Sequence, residues 1–332
     1  MSLHASSFRP VGLGETGKFL RNRIKGTLLG AASNLPAWAR RALLAGLAHS
    51  PEAYETLQIL GRAHGVRDLR IAGDYGIIEG SIEDTAILRS YALEKRWAAQ
   101  SNALFCDFFE QAGGGTYIDV GANIGLTTIP IARNPRVACK LFEPAPDNLR
   151  YLQINLWNNC AYDNVEIFNL ALYDQVGTIE FELAEGNLGD HRVRIDKRTG
   201  DWGEEVRRVI EVAADRLDNI LDLAKLGGPI AAKIDTQGAE CQVVAGGATV
   251  LAAAELLQLE FWPYGIQRTD GDIGALTQYL RSNFSSGAIV GGDKNEPLLW
   301  RSSDFVIAGL LDFVKLKGGS PYEYLDVFLR KS

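Results

Sequence analysis

Asp119, Gly121, Asn123 and Gly125 fall in one short run, YIDVGANIGLTT, residues 117–128. It reads as a buried strand, a glycine turn and the start of a helix, which together aim backbone N–H groups at a ligand. A dinucleotide turn requires G-x-G-x-x-G, so that the backbone can press against a pyrophosphate. In Gly121-Ala122-Asn123-Ile124-Gly125 the middle glycine is missing, and Asn123 puts a side chain in the pyrophosphate's place. A triphosphate loop requires a lysine after its last glycine, and none follows Gly125. Asp119, two residues ahead of the turn, adds a carboxylate that repels phosphate and attracts an ammonium group. Glu143 ends the next strand, 22 residues after Gly121, where an acid takes ribose hydroxyls. An amino-acid headgroup joined to a ribose describes S-adenosylmethionine. Asp119, Gly121, Ala122, Asn123, Gly125 and Glu143 are therefore expected to line its site. Taken singly, the two glycines could merely permit a tight turn, and Glu143 could be a solvated strand end.

The elements that position these residues belong to a globular chain. Of 332 residues, 46% are hydrophobic and 23% charged, enough for a large core. A net charge of −7 excludes a general nucleic-acid binder. No apolar run reaches the roughly 18 residues of a membrane span. The start, MSLHASSFRP, lacks the pattern of a secretory signal, so a cytoplasmic location is expected. Cys106, Cys139, Cys160 and Cys241 are widely spaced and read as buried thiols, not as a disulfide or zinc framework.

Residues 1–48 carry seven basic side chains and one acid, a net +6 that leaves −13 on the remainder. Within them LPAWARRALLAGLAH sets Leu35, Trp38, Leu43, Leu44 and Leu47 at helical spacing. Such a helix could make peripheral contact with an anionic membrane, or pack on its own domain with its arginines in water. A second helix is expected over 51–63, a hairpin turning at Gly73-Asp74, and a helix over 84–111 ending at the glycines of 113–115. Residues 1–100 thus read as a mainly helical cap with a small hairpin.

From residue 116 strands and helices alternate, which implies a parallel sheet. Strands are expected at TYIDVG, VACKLFEP, NVEIFNLAL, PIAAKID and ELLQLEFW, with a final strand at DFVIAGLL. Helices are expected at IGLTTIPIARN, PDNLRYLQINLWNN, DRLDNILDLAKL, ECQVVAGGATVLAA and DIGALTQYLRSNF. GTIEFELA and EEVRRVIEVAA read as added antiparallel strands. The domain is expected to span 101–312, with a tail helix over 313–332.

IDVGANIGLTT, FEPAPDNLRYLQINL, the ALYD after the third strand, and KIDTQGAE with the glycine pair beyond it resemble the FkbM-type methyltransferases. The likeness covers about residues 100–265. It implies an α/β, Rossmann-like doubly wound sheet of seven strands, the class I methyltransferase fold, with the last strand antiparallel. It also implies methyl transfer from S-adenosylmethionine, usually to a hydroxyl oxygen of a sugar or polyketide. It places Asp119, Gly121, Asn123, Gly125 and Glu143 at the cofactor, with Ala171 and Leu172 beside the adenine. Asn155, in the helix after Glu143, either belongs to that site or braces the helix. One departure stands out: the family pattern is K-I-D-x-E-G-x-E, and here Gln237 replaces its first glutamate.

A sulfonium methyl is already activated, so alignment and removal of water do much of the work. A hydroxyl acceptor also needs its proton removed. In the implied sheet Asp235 ends the fourth strand and faces the methyl group. It is the expected base or substrate-orienting acid; the alternative is a cap for the next helix. Lys233, Glu240 and His191 are the other catalytic candidates. Their structural alternatives are a strand ion pair, a helix-terminal charge and a solvated loop histidine. Glu260 closes the fifth strand, and Trp262, Pro263 and Tyr264 follow, aromatic faces that suit sugar rings. Asp235 and Glu240 are candidate oxygen ligands for a magnesium ion, but Gln237 in place of a carboxylate weakens that case, and no metal is expected.

The leading expectation is an O-methyltransferase acting on a glycan or another small hydroxylated acceptor. A catalytically degenerate binding or scaffold protein is the alternative that Gln237 favours. An N-methyltransferase would carry an N-P-P-[YF] tetrapeptide where Asp-Thr-Gln-Gly stands, and a nicotinamide oxidoreductase conflicts with the turn chemistry.

Overall fold

Apolar runs separated by glycine turns become buried parallel strands, and most of this chain is built that way. The computed structural model describes residues 51–194, 207–291 and 296–331. The basic helix expected within 35–49 lies outside them. The chain divides into two compact units, residues 1–67 and 68–332. In the first, α1 (Pro51–Ala63) opens on a proline where no N–H is needed. It closes at Gly65, φ 68°, with the Val66 N–H donating back to the Gly61 carbonyl at 2.9 Å.

The second unit begins with the hairpin β1 (Asp68–Gly73) and β2 (Gly76–Ser81). The single helix expected over 84–111 is two, α2 (Ile87–Glu94) and α3 (Ala99–Ala112). Lys95 and Ala98 turn left-handed between them, at φ 64° and 45°. The carbonyls freed there are used: Lys95 accepts the Asp74 N–H at 2.7 Å, and Trp97 accepts the Tyr75 hydroxyl at 2.8 Å.

Next come β3 (Gly115–Val120), α4 (Thr128–Ala132), β4 (Val137–Phe142), α5 (Pro146–Asn159) and β5 (Val165–Phe168). The strand expected through NVEIFNLAL is cut at Asn169, whose side-chain amide donates to the Glu143 carbonyl at 3.0 Å. Beyond the cut, β6 (Ala171–Leu172) joins a second sheet with β7 (Gly177–Leu183), β8 (Arg192–Val193) and β9 (Arg208–Asp215), in the order β6-β9-β7-β8. The helix expected at DRLDNILDLAKL shrinks to one turn, α6 (Leu217–Ile220), and a 3-10 turn capped by Asp222. There follow β10 (Ile230–Ile234), α7 (Glu240–Gly246), α8 (Ala248–Ala253), β11 (Leu256–Phe261), α9 (Pro263–Arg268) and α10 (Ile273–Asn283). The chain closes with β12 (Ser286–Gly291), β13 (Arg301–Ser302), α11 (Ser303–Lys317) and β14 (Leu325–Arg330).

The main sheet runs β13-β12-β14-β11-β10-β3-β4-β5. Strands β11, β10, β3, β4 and β5 are parallel, and β14 enters antiparallel between β11 and β12. This is the doubly wound seven-stranded class I methyltransferase sheet, with β13 a two-residue addition at one edge. Its central strands bury both faces, which is why β10 is wholly buried and reads as an apolar run.

Two readings near the C-terminus are corrected. DFVIAGLL is the body of α11, with the Ser302 hydroxyl accepting the Phe305 N–H at 3.3 Å as its cap. Its apolar residues serve a helix because Val306, Ile307 and Leu310 share the buried face. The segment expected as a tail helix holds the last strand, β14, where Val327, Phe328 and Leu329 are buried.

Candidate active site

Gly121, at the end of β3, has φ 81°, and a Cβ there would strike the carbonyl of Asp235. That close approach joins the ends of β3 and β10. Asn123 follows at φ 50°. Glu143 accepts the Asn123 N–H through Oε2 and the Ala145 N–H through Oε1, both at 2.8 Å. It therefore ties the glycine turn to the end of β4. Burial raises its pKa to about 7, against the lowering effect of those two donors.

Asn155 stands behind the turn. Its side-chain amide donates to the carbonyls of Ile124 and Glu79, each at 2.9 Å, and its oxygen accepts the Glu79 N–H at 2.7 Å. Asn159 makes the same pair with Ile77, at 3.1 and 2.9 Å. One face of α5 thus acts as an additional strand partner for β2.

Asp119 points away from the turn's mouth. It is fully buried, and its Oδ2 accepts the hydroxyls of Thr127 at 2.8 Å and Thr128 at 2.6 Å. Its Oδ1 lies 3.3 Å from Lys233 Nζ. The ammonium group that the sequence assigns to the ligand is supplied by the chain itself. Lys233 also donates to the Gly121 carbonyl at 3.2 Å and lies 3.4 Å from Asp235 Oδ2. Burial alone would lower its pKa; the carboxylates of Asp119 and Asp235 outweigh that and hold it above the ordinary lysine value.

Two cavities meet at this turn. The first holds about 50 Å³, and its lining combines Phe142, Ala171, Leu172 and Phe181 with Glu143 and Asn148. Leu188, Gly189 and His191 also line it, and the Leu188 carbonyl accepts from Asn148 Nδ2 at 3.0 Å and Asn123 Nδ2 at 3.3 Å. Thr85 holds the neighbouring Gly186 carbonyl with its N–H at 2.6 Å and its hydroxyl at 2.9 Å. The second cavity, about 550 Å³, is walled by parts of 86–101 and 187–192 and by the ends of β10, β11 and β14. Lys233, Asp235, Gln237, Glu260 and Asp326 line it, with Trp97, Trp262 and Tyr322. Gly121, Asn123, Asp235 and Gln237 line both cavities.

Gln237, at φ 56°, donates its Nε2 to Asp235 Oδ1 at 2.9 Å and to Glu260 Oε2 at 2.7 Å. A glutamate there would add a third carboxylate between these two. Burial, then the charges of Asp235, Glu240 and Asp326, pushes the Glu260 carboxyl well above the usual range. Glu240 is fully buried and lines neither cavity. Its Oε1 accepts the N–H of Thr236 (2.9 Å), the Thr236 hydroxyl (2.9 Å) and the N–H of Gly238 (3.2 Å), which braces the loop carrying Gln237.

His191 lines the first cavity, where its Nδ1 accepts the Ala184 N–H at 2.9 Å. That bond assigns the proton to Nε2, and burial lowers the pKa to about 4. A ring so held has no lone pair left to take a proton from an acceptor. Of the catalytic candidates, Asp235 lines both cavities, Lys233 the second and His191 the first, whereas Glu240 lines neither. Among the described residues no group of three or more His, Cys, Asp or Glu side chains is placed to hold a metal ion, and no helix is long and apolar enough to cross a membrane.

A family model described as the methyltransferase FkbM domain matches residues 119–284. The chain belongs to this family. Solved structures similar to it include precorrin-6y C5,15-methyltransferase from Geobacter metallireducens GS-15, at 12% identity over 70% of this chain and 87% of that one, TM-score 0.33. Magnesium protoporphyrin IX methyltransferase from Synechocystis PCC 6803, solved with bound SAM, is 14% identical over 70% and 79%, TM-score 0.34. TYW2 from M. jannaschii, in complex with AdoMet, is 11% identical over 80% and 87%, TM-score 0.34. These likenesses are remote, and the fold assignment rests on the strand order itself. The FkbM span takes in the glycine turn, Glu143, the 184–191 segment and the run from Lys233 to Glu260. Trp97 and Asp326 lie outside it, so the second cavity draws part of its wall from beyond the family domain. Asp326 was invisible in the sequence because its strand read as a helix, and Glu260 was noted there only as a strand end.

Proposed function

We propose that this FkbM methyltransferase moves a methyl group from S-adenosylmethionine to a hydroxyl of a saccharide or another small hydroxylated acceptor. The wall common to the two cavities carries the reading. A donor in the first and an acceptor in the second would meet across Gly121, Asn123, Asp235 and Gln237. The residues of the first cavity fit the cofactor. Phe142, Ala171, Leu172 and Phe181 offer apolar surface to an adenine. Glu143 keeps lone pairs for ribose hydroxyls beyond those given to Asn123 and Ala145. Asp119 is closed to both cavities behind Lys233 and two threonine hydroxyls, whereas Asp235, although also 3.4 Å from Lys233, lines the first cavity and can face the amino-acid ammonium.

When bound, S-adenosylmethionine supplies a methyl group already activated on a sulfonium sulfur. The chain's own residues orient and enclose. Lys233 fixes Asp235 and the Gly121 carbonyl, Gln237 fixes Asp235 and Glu260, and Leu188, Gly189 and His191 line the first cavity. On the acceptor side, Trp97, Trp262 and Tyr322 offer faces for a sugar ring, and the carboxylates of Asp235, Glu260 and Asp326 accept its hydroxyls. Gln237 raised the alternative of a binder without chemistry. Its amide instead keeps two carboxylates at the acceptor cavity, which favours an enzyme.

The test is calorimetry with S-adenosylhomocysteine, followed by assay of S-adenosylhomocysteine release over a panel of free and lipid-linked sugars. Binding and release with at least one sugar are expected. A protein that binds no S-adenosylhomocysteine would end this reading.

A further inference from the structure

We propose that Glu260, not Asp235, receives the proton of the acceptor hydroxyl. This rests on the methyl-transfer reading and assigns its base. Both carboxylates reach the same Gln237 nitrogen and both line the second cavity. They differ in what else holds them. Asp235 has Oδ1 on Gln237 and Oδ2 3.4 Å from Lys233 Nζ, so both of its oxygens are already engaged by groups of the chain. It also lines the first cavity, where an ammonium partner is needed.

Glu260 lines the second cavity alone. Its Oε2 takes a neutral amide proton, and among the described residues it pairs with no cation and Oε1 makes no hydrogen bond. Burial comes first in raising its pKa, then the charges of Asp235, Glu240 and Asp326, with Lys233 opposing; Arg96 and Arg192 line the same cavity. The net effect is a pKa above the ordinary glutamate value, which strengthens it as a proton acceptor. Gln237 makes the arrangement workable, since it orients Oε2 without adding charge and leaves Oε1 for substrate.

The step balances. A lone pair on the hydroxyl oxygen forms the new O–C bond, the electrons of the C–S bond stay on sulfur as a neutral thioether, and the hydroxyl proton goes to the Glu260 carboxylate.

The first arm of the test uses the full chain and no acceptor. Asp and Glu side-chain carboxyls are labelled with ¹³C and titrated by NMR, with E260Q and D235N assigning the two resonances. Glu260 is expected to titrate above the ordinary carboxylate range, and S-adenosylhomocysteine is expected to perturb the Asp235 resonance but not that of Glu260. In the second arm, with the best acceptor of the sugar panel, E260Q is expected to lose about 10²- to 10³-fold in kcat and the rising limb of the pH profile. Its affinity for S-adenosylhomocysteine should stay unchanged, and E260D should restore the limb. D235N should weaken that affinity instead. Glu260 titrating in the ordinary carboxylate range, or E260Q keeping its kcat and limb, would overturn the assignment to Glu260 alone. A wild-type chain that binds no S-adenosylhomocysteine would overturn the methyl-transfer reading and the proton role together.

Discussion

Lys233 and Asp119 are direct cross-strand neighbours in β10 and β3, with Nζ 3.3 Å from Oδ1 and both side chains nearly closed to solvent. A buried pair of this kind costs desolvation on both sides, and removing one partner leaves the other charge uncompensated. Asp119→Ala is therefore expected to destabilise the fold by about 3–5 kcal/mol. Asp119→Ala with Lys233→Met should recover part of that loss, because no buried charge is then left alone. Urea unfolding of the single and double variants checks this. A D119A protein of unchanged stability and lost S-adenosylhomocysteine affinity would return Asp119 to the ligand site.

Glu143 links cofactor binding to pH. Ribose hydroxyls donate hydrogen bonds, so they favour the ionised carboxylate, and its pKa is about 7. Affinity for S-adenosylhomocysteine should fall as pH drops through 7. Glu143→Ala should weaken binding by about a hundredfold and flatten this dependence. Stability has the opposite sign. The folded pKa is raised, so the native state binds more protons between the ordinary 4.5 and about 7, and stability declines as pH rises through that window. Glu143→Gln should remove the decline, which thermal unfolding at several pH values would reveal.

The contrast between Glu143 and Asp119 marks how far the sequence reaches. Glu143 and Gly121 were legible because strand ends and turn glycines stand at fixed spacing in a parallel sheet, whereas Ala171 and Leu172 came from the family resemblance alone; all four line the first cavity. Strands β3, β4, β10 and β11 were legible because burial on both faces leaves an apolar run. The Asp119–Lys233 pair spans 114 residues, and Gln237 meets Glu260 across 23. Such through-space pairs leave no local pattern. DFVIAGLL misled for a related reason: a short apolar run fits a buried strand or a buried helix face equally well.

His191 should behave as a neutral ring. Burial lowers its folded pKa to about 4 from the usual 6.5. Between those values the unfolded chain binds more protons, so stability is lost as pH falls from 6.5 towards 4. The loss attributable to this ring is on the order of 3 kcal/mol. His191→Gln should abolish that part of the acid sensitivity and leave the pH limb of kcat in place. A His191 ring resonance that titrates near 6.5 in the folded protein would contradict the assignment.

The segment 184–191 should set the pace of cofactor exchange. About 50 Å³ lies beneath it, whereas ligand sites run to roughly 300 Å³ or more. A nucleoside therefore needs residues lining this cavity, Leu188 among them, to move. Two side chains, Asn123 and Asn148, hold the Leu188 carbonyl, and Thr85 holds the Gly186 carbonyl beside it. Asn148→Ala and Thr85→Val each loosen this latch without touching Asp235 or Glu260. Association and dissociation of S-adenosylhomocysteine should both quicken, by about tenfold for the loss of one hydrogen bond of roughly 1.4 kcal/mol, while the equilibrium constant changes less. Stopped-flow fluorescence separates the two rates. A variant in which only dissociation quickens would mean that Asn148 binds the ligand directly, and unchanged rates in both variants would show that the cofactor enters elsewhere.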